Sequence, residues 1–459
     1  MTRKEQLSEI GGIKPKNYVS KVIIPLPHNF YQNDMGIFHT IKASEWSIMN
    51  DNSNQTQNIL DAFNIKKYIY ENIFPSYDNS DFINNFDTLY LKRKINKELT
   101  LEKFNFVLYD IDLWIFEENI AFFVLNINID YNNYTIDELT DFNRLIKNFK
   151  FLKLEKNCLI LNGYDTTTDI INYLLNLTVI DNKSFLNINI QQIVDDVVYN
   201  TSTNAKLLVG IETPTATFKN KKPIEKDIDE FINFDIYDTL SILQEVPFYV
   251  ASSVNLNLTN KSFTPAERYI YNLINNQGIN IWKYSSGIAL HDSLVLFGLG
   301  NGGGPIVDNT NNIFYFIYIL NLYINFQIRY IERKIINKDF ESKDITYYYK
   351  KLQKLKNQFI TDEIAVKFQE NEIHKAISTA LKTNKILSEV TENLIETKTI
   401  TDNNIGLYIS LLGFAFVSIF QEPFTDLFKQ YPIFFSTISI VSVALILKYR
   451  NIIRNKLKL

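Results

Sequence analysis

NNIGLYISLLGFAFVSIFQ (403–421) and QYPIFFSTISIVSVALIL (430–447) are two uncharged, mostly apolar runs, parted by the polar loop EPFTDLFKQ (422–430) and followed by a basic tail. At about 1.5 Å per residue, a helix over the first run is about 28 Å long, close to the thickness of a hydrocarbon core. Two adjacent runs of this length, in a chain with 21% charged residues, predict a transmembrane hairpin. A pair of buried core helices is the alternative.

Charge sets the expected orientation. Lys448, Arg450, Arg454, Lys456 and Lys458 follow the second run with no acid among them, which places them on the cytoplasmic side. A hairpin returns both termini to that side, and MTRKEQLSEI at the start lacks the apolar core of a secretory signal. The expectation is therefore a multi-pass protein of the inner (plasma) membrane with some 400 residues in the cytoplasm. The single cysteine, Cys158, fits a reducing compartment.

Punctuation divides the rest. The 459 residues, 46% hydrophobic, leave room for two or three structural units, and the net charge of −4 gives no footprint for nucleic acid. Residues 306–405 contain neither Gly nor Pro, so this third is read as helical. Upstream, FVLYDIDLWIF (106–116) and IAFFVLNINI (120–129) alternate like the arms of a β-hairpin carrying Trp114. KVIIPLP (21–27), NCLILNG (157–163), AKLLVGIE (205–212), VPFYVASSV (246–254) and SLVLFGLG (293–300) are further strand candidates. IDELTDFNRLIKNF (136–149) and TPAERYIYNLINNQ (264–277) read as helices with polar caps. The fold class that results is an α+β membrane protein. Its parts are a cytosolic α/β ligand-sensing domain (1–305), long helices and a stalk (306–403), the transmembrane hairpin (404–448) and a basic tail (449–459).

The stalk has a countable register. Every seventh residue from Ile345 is apolar: Ile345, Leu352, Phe359, Val366, Ile373, Ala380, Leu387 and Leu394. An unbroken helix over 343–402 would be about 90 Å long, and a strict seven-residue repeat supercoils to the left. The seam either joins subunits or packs within the chain against IFYFIYILNLYINFQIRYIERKI (313–335). Continued into the first run, the register meets Tyr408, Ala415 and Glu422. With Asn404, Leu411 and Ser418 these are the candidate pore-lining residues, unless the hairpin is a plain anchor. One two-span chain cannot enclose a hydrated path, so a pore requires a homo-oligomer.

Other motifs are sparse. Gly298-Leu-Gly-Asn-Gly-Gly-Gly-Pro305 formally contains GxGxxG after a strand. Its backbone amides could cradle phosphate, with Gly298, Gly300, Asn301, Gly302 and Gly303 as ligand-binding candidates and Asp308 nearby. A structural bend is the alternative, since Pro305 and VDNTNN intervene before a long helix. Asp110 and Asp112 share a strand face as DID and could hold a metal, although solvated carboxylates are the commoner outcome. GxxxxGK[ST], HExxH, CxxC and GxSxG are absent, and His28, His39, His291 and His374 are scattered, so no enzyme is read here.

This order of parts, with Tyr431-Pro432 at the entry to the second run and the ending KYRNIIRNKLKL, resembles the CorA family of two-span metal-ion transporters. The resemblance implies a homo-oligomer, a pentamer, whose first spans line a pore. The family's Gly-Met-Asn signature is replaced by Phe420-Gln-Glu-Pro-Phe424, which removes its magnesium-selecting groups. Glu422 and Asp426 would then attract cations in the outer loop. CorA-like proteins lacking that signature accompany type III CRISPR systems as membrane effectors. Resemblance to these implies a nucleotide messenger, S-adenosylmethionine joined to AMP, and a role in antiviral defence. A divalent-cation transporter and a membrane-tethered coiled-coil scaffold are the alternatives.

Overall fold

The computed structural model describes residues 3–26, 47–48, 88–116, 120–147, 160–161, 179–180, 183–184, 205–213, 242–257, 265–282, 284–299, 306–336, 342–360 and 363–397. In chain order the strands are β1 (Asn17–Leu26), β2 (Ser47–Ile48), β3 (Thr88–Leu101), β4 (Phe104–Phe116), β5 (Ala121–Ile129), β6 (Ile160–Leu161), β7 (Val179–Ile180), β8 (Lys183–Ser184), β9 (Lys206–Thr213), β10 (Gly278–Trp282), β11 (Ser285–Leu290) and β12 (Ser293–Leu299). The helices are α1 (Arg3–Gly11), α2 (Ile136–Lys147), α3 (Ile242–Ala251), α4 (Glu267–Gln277), α5 (Ile306–Asn311), α6 (Ile313–Ile336), α7 (Ser342–Gln358), α8 (Phe368–Ala380) and α9 (383–397).

Alternation in the apolar runs builds one sheet. Its order is β10-β11-β12-β9-β1-β5-β4-β3-β2, with β6 also beside β3, while β7 and β8 pair apart. All long strands pair antiparallel except β12 with β9, which makes the sheet mixed. The expected hairpin forms: β4 and β5 pair from Phe106 opposite Ile129 to Ile115 opposite Ala121. The expected strands at 21–27, 205–212 and 293–300 correspond to β1, β9 and β12, whereas only residues 160–161 of NCLILNG are described.

Each strand presents two faces. On one, Val22, Ile24, Leu125, Ile127, Val209 and Phe297 join Leu7 of α1, Phe142 of α2, Val246 of α3 and Ile274 of α4 in the main core. The amphipathic α2 begins as expected. Thr135 Oγ1 accepts from the Glu138 amide at 3.3 Å while Glu138 accepts from the Thr135 amide at 3.0 Å, a reciprocal capping box. The opposite face takes α5, which packs on β9 and β1. Gly210 makes room for it, since a Cβ there would lie 2.7 Å from Thr310 Oγ1.

One strand expectation fails. VPFYVASSV belongs largely to α3, whose residues from Val246 to Ala251 are buried. A short, wholly buried apolar run has no periodicity to separate strand from helix. Pro247 lies inside α3 and cannot donate to the Leu243 carbonyl; the Ser286 hydroxyl of β11 donates to it instead.

The helical third is broken where neither Gly nor Pro occurs. Within 343–402, expected as one helix, Asn371 makes the first break: its Oδ1 accepts the Ile364 and Ala365 amides at 2.8 and 2.9 Å, and its Nδ2 donates to the Ala365 carbonyl at 3.1 Å. Lys382 makes the second, ending α8 with a left-handed φ of 56°. The seven-residue register survives in burial, since Ile345, Leu352, Phe359, Ile373, Ala380, Leu387 and Leu394 are all buried within the one chain, but Val366, in the first break, is 72% exposed.

The membrane-protein fold class is corrected. Among the described residues no helix is long and apolar enough to cross a membrane, and what the structure supports is an α/β fold on a ten-strand mixed sheet flanked by helices. Even α6, the longest at 24 residues, is interrupted by Asn321, Asn325 and Gln327 and ends in charge at Arg329, Glu332, Arg333 and Lys334. The transmembrane assignment and the multi-pass inner-membrane location are withdrawn with it. The runs at 403–421 and 430–447, including Asn404, Tyr408, Leu411, Ala415, Ser418, Glu422 and Asp426, lie outside the described residues.

The chain forms two compact units, one of residues 1–326 and 361–383, the other of 327–360 and 384–459. The first holds the sheet and α8. In the second, Tyr330 of α6 meets Tyr348 of α7 edge-on, with ring centroids 6.4 Å apart. The backbone passes between the units within α6, after α7 and at the start of α9.

Candidate functional site

A bulge in β4 decides where DID points. The register against β5 shifts between Leu108 and Asp110, leaving Tyr109 as the extra residue, 48% exposed. Phe106 and Leu108 therefore face the main core, while Asp110, Asp112, Trp114 and Phe116 turn to the other face of the sheet. The first half of α6 covers them. Phe116 stacks on Tyr323 with centroids 4.3 Å apart, Trp114 stacks on Tyr90 at 3.9 Å, and Phe122 meets Phe326 edge-on at 5.5 Å.

The two aspartates are not solvated; they are 3% and 1% exposed. Around them stands a polar network drawn from five elements. Lys21 of β1 donates to Asn126 Oδ1 of β5, and Asn126 Nδ2 donates to Asp110 Oδ1 and, at 3.0 Å, to Asp112 Oδ2. Tyr315 of α6 donates to Asp112 Oδ2 at 2.8 Å and accepts from Trp114 Nε1 at 2.9 Å. Lys92 of β3 lies 2.9 Å from Asp110 Oδ2 and 3.9 Å from Asp112 Oδ1. The Lys21 ammonium sits 4.7 Å from the centroid of the Tyr315 ring, over its face.

Two cations and two carboxylates cancel in charge, but their burial is costly. Burial lowers the Lys21 ammonium from its ordinary 10.5 to about 8, against the pull of Asp112 and Asp110. Burial also raises the Asp112 carboxyl, opposed by Lys92 and Lys21. For Lys92, burial pulls the pKa down, yet Asp112 and Asp110 outweigh it and the net shift is upward. The Tyr315 phenol is held well above its usual range by burial and then by Asp112.

Apart from this network, the sequence candidates are dispersed. Gly298 is an ordinary residue of β12, opposite Ser285 and beside Glu212, and its carbonyl accepts from Thr213 Oγ1 at 3.1 Å. Gly300, Asn301, Gly302 and Gly303 lie outside the described residues. After them, the Val307 amide in the first turn of α5 already donates to Glu212 Oε1 at 3.2 Å, and Asp308 is exposed. The His291 carbonyl accepts from Lys206 at 3.2 Å. His374 is buried in α8 and takes up the Asn321 amide, with His28 and His39 outside the described residues. Trp114 is 2% exposed, and Trp282 is partly buried near Phe314. Among the described residues no group of three or more His, Cys, Asp or Glu is placed to hold a metal ion. Asp110 and Asp112 instead face ammonium, amide and phenol groups, and Asp112 Oδ1 accepts no hydrogen bond.

Lys21, Lys92, Asn126 and Tyr315 were not picked out from sequence. A signal existed for two of them: Lys21 interrupts YVSKVIIPL and Asn126 interrupts FFVLNINI at inward positions of apolar strands. The network ties α6 to β4 through Tyr315, Asp112 and Trp114. The chain matches no protein-family model, no curated protein and no solved structure.

Proposed function

We propose that this chain is a ligand-responsive regulatory protein, in which the sheet-bearing unit receives a small polar ligand and α6 carries the response onward. One observation carries this reading. α6 is fixed to the sheet through Tyr315 and Asp112, then runs on past Phe326 into the second unit as one helix. A shift at Tyr315 can then be followed along the helix to its residues after Phe326. The cost of burying the network supports a switching role, because buried ionic groups are a poor source of net stability but a good register for one of two packings.

What the sequence resemblance implied of its ligand, without the membrane hairpin, makes a nucleotide messenger the first ligand to test, with antiviral defence and assembly into a homo-oligomer as the setting. Hydrogen exchange on the full chain, with and without adenine nucleotides including S-adenosylmethionine joined to AMP, tests the reading. Binding is expected to change protection in both halves of α6, 313–326 and 327–336. A ligand that binds while leaving 327–336 unchanged overturns the reading, and native mass measurement reads the subunit number.

A further inference from the structure

We infer that the groove at the β4–β5 end of the sheet is a site for a small organic amine and that it is wired to α5 and α6. The inference rests on the ligand-responsive reading and names its site and ligand class.

The groove has a volume of about 540 Å³, within the roughly 300–1,000 Å³ typical of small-molecule sites. Val107, paired with Glu98 on one side and Asn128 on the other and so on their face of the sheet, contributes its apolar side chain. Glu98, Asp130, Asn105 and Asn128 supply carboxylate and carboxamide oxygens, and no Lys or Arg lines it. An ammonium group finds acceptors there, while its methylene chain finds Val107. A phosphate would meet two carboxylates and no cation. The 3-10 turn Tyr131–Asn133 shapes one wall, and Asp130 is held by Asn133 Nδ2 at 2.6 Å.

Tyr131, which also lines the groove, starts a polar path out of it. Its hydroxyl donates to Asn17 Oδ1 at 3.2 Å, Asn17 Nδ2 donates to Glu212 Oε2 at 2.7 Å, and Glu212 Oε1 accepts the Val307 amide of α5 at 3.2 Å. α5 leads directly into α6, whose third residue is Tyr315. An amine that draws Asp130 and Tyr131 inward therefore tugs on Asn17 and Glu212, and through them on the first turn of α5. Gly210, pressed against Thr310, couples that turn to the sheet.

Spermidine is the probe, titrated by calorimetry into the full chain in 150 mM salt, with AMP in a parallel arm and hydrogen exchange as the second readout. Saturable spermidine binding is expected, weakened at least tenfold by Glu98→Gln or Asp130→Asn. Asn17→Ala, outside the groove, is expected to bind within threefold of the parent while losing the exchange response at 306–311. If spermidine fails to bind, or binds equally to both acid-to-amide variants, the groove assignment is overturned whatever AMP does. If spermidine binds in the groove but exchange at 306–336 stays fixed in the parent protein, the wiring is overturned. A response of 327–336 to AMP alone leaves the ligand-responsive reading standing and removes only the amine site.

Discussion

Tyr315 and Asp112, 203 residues apart in the chain, share a 2.8 Å hydrogen bond in a layer closed to water. The same phenol accepts from Trp114 Nε1, so one side chain of α6 satisfies an acceptor and a donor of β4 together. Tyr315→Phe is then expected to remove the acceptor of Trp114 Nε1 and to leave Asp112 Oδ2 with its bond from Asn126 Nδ2. Leaving a buried polar group without its partner costs about 1–3 kcal/mol, and a loss of that size should appear in urea denaturation at neutral pH. Pairing the change with Asp112→Asn should give a non-zero coupling energy. Strict additivity would mean that the bond contributes nothing.

Lys21 gives the network a sign with pH. Its pKa is lowered from 10.5 in the unfolded chain to about 8 in the folded protein. Between those values the unfolded chain holds a proton that the folded protein has released, so the contribution of Lys21 to stability rises as pH increases from 8 towards 10.5. Tyr18, raised by burial, opposes this only above its ordinary 10.0. Across pH 8 to 9.5 the stability difference between the parent and Lys21→Met should therefore shift in the parent's favour. A constant difference across that window would show that Lys21 is not desolvated as the structure places it.

The elements legible in the sequence were those whose pattern is local. β1, β4, β5, β9 and β12 alternate or carry dense β-branched residues, and α2 announces itself with Thr135 and Glu138. What could not be read depended on partners far away or on unusual stops. The faces of β4 exchange phase at Tyr109, which no local rule marks, so DID looked solvated when α6 covers it. The Gly-free and Pro-free third looked continuous because Asn371 and Lys382 do the work usually left to Gly and Pro. The candidate site was half visible: its aspartates stood out as a motif, but Lys21 and Tyr315 acquire meaning only when β1 and α6 meet β4.

Pro247 and Ser286 form a compensating pair that can be taken apart. Ser286→Ala leaves the Leu243 carbonyl without the hydroxyl it accepts from, a loss expected at about 1–3 kcal/mol. Adding Pro247→Ala restores an amide four residues after Leu243, able to close the ordinary helical bond. The double variant should therefore recover much of what Ser286→Ala loses. Two losses that simply add, measured by denaturant midpoint, would exclude the exchange of partners.

Asn371 carries the most direct test of the broken helix. Its carboxamide holds the Ile364 and Ala365 amides and the Ala365 carbonyl, which together keep the chain turned before α8. In Asn371→Leu those groups lose their side-chain partner, and the only regular alternative for a segment free of Gly and Pro is to continue as helix. Exchange at Ile364 and Ala365 is expected to accelerate at least tenfold, with ellipticity at 222 nm becoming more negative if 359–367 rewinds. The same substitution bears on α8, because Asn321 Nδ2 donates to His374 Nδ1 at 2.9 Å and Asn325 Nδ2 to the Leu381 carbonyl at 3.0 Å. If those two bonds seat α8 independently of the turn, protection across 373–380 will persist while 364–365 open. If the turn is what positions α8, both stretches will lose protection together.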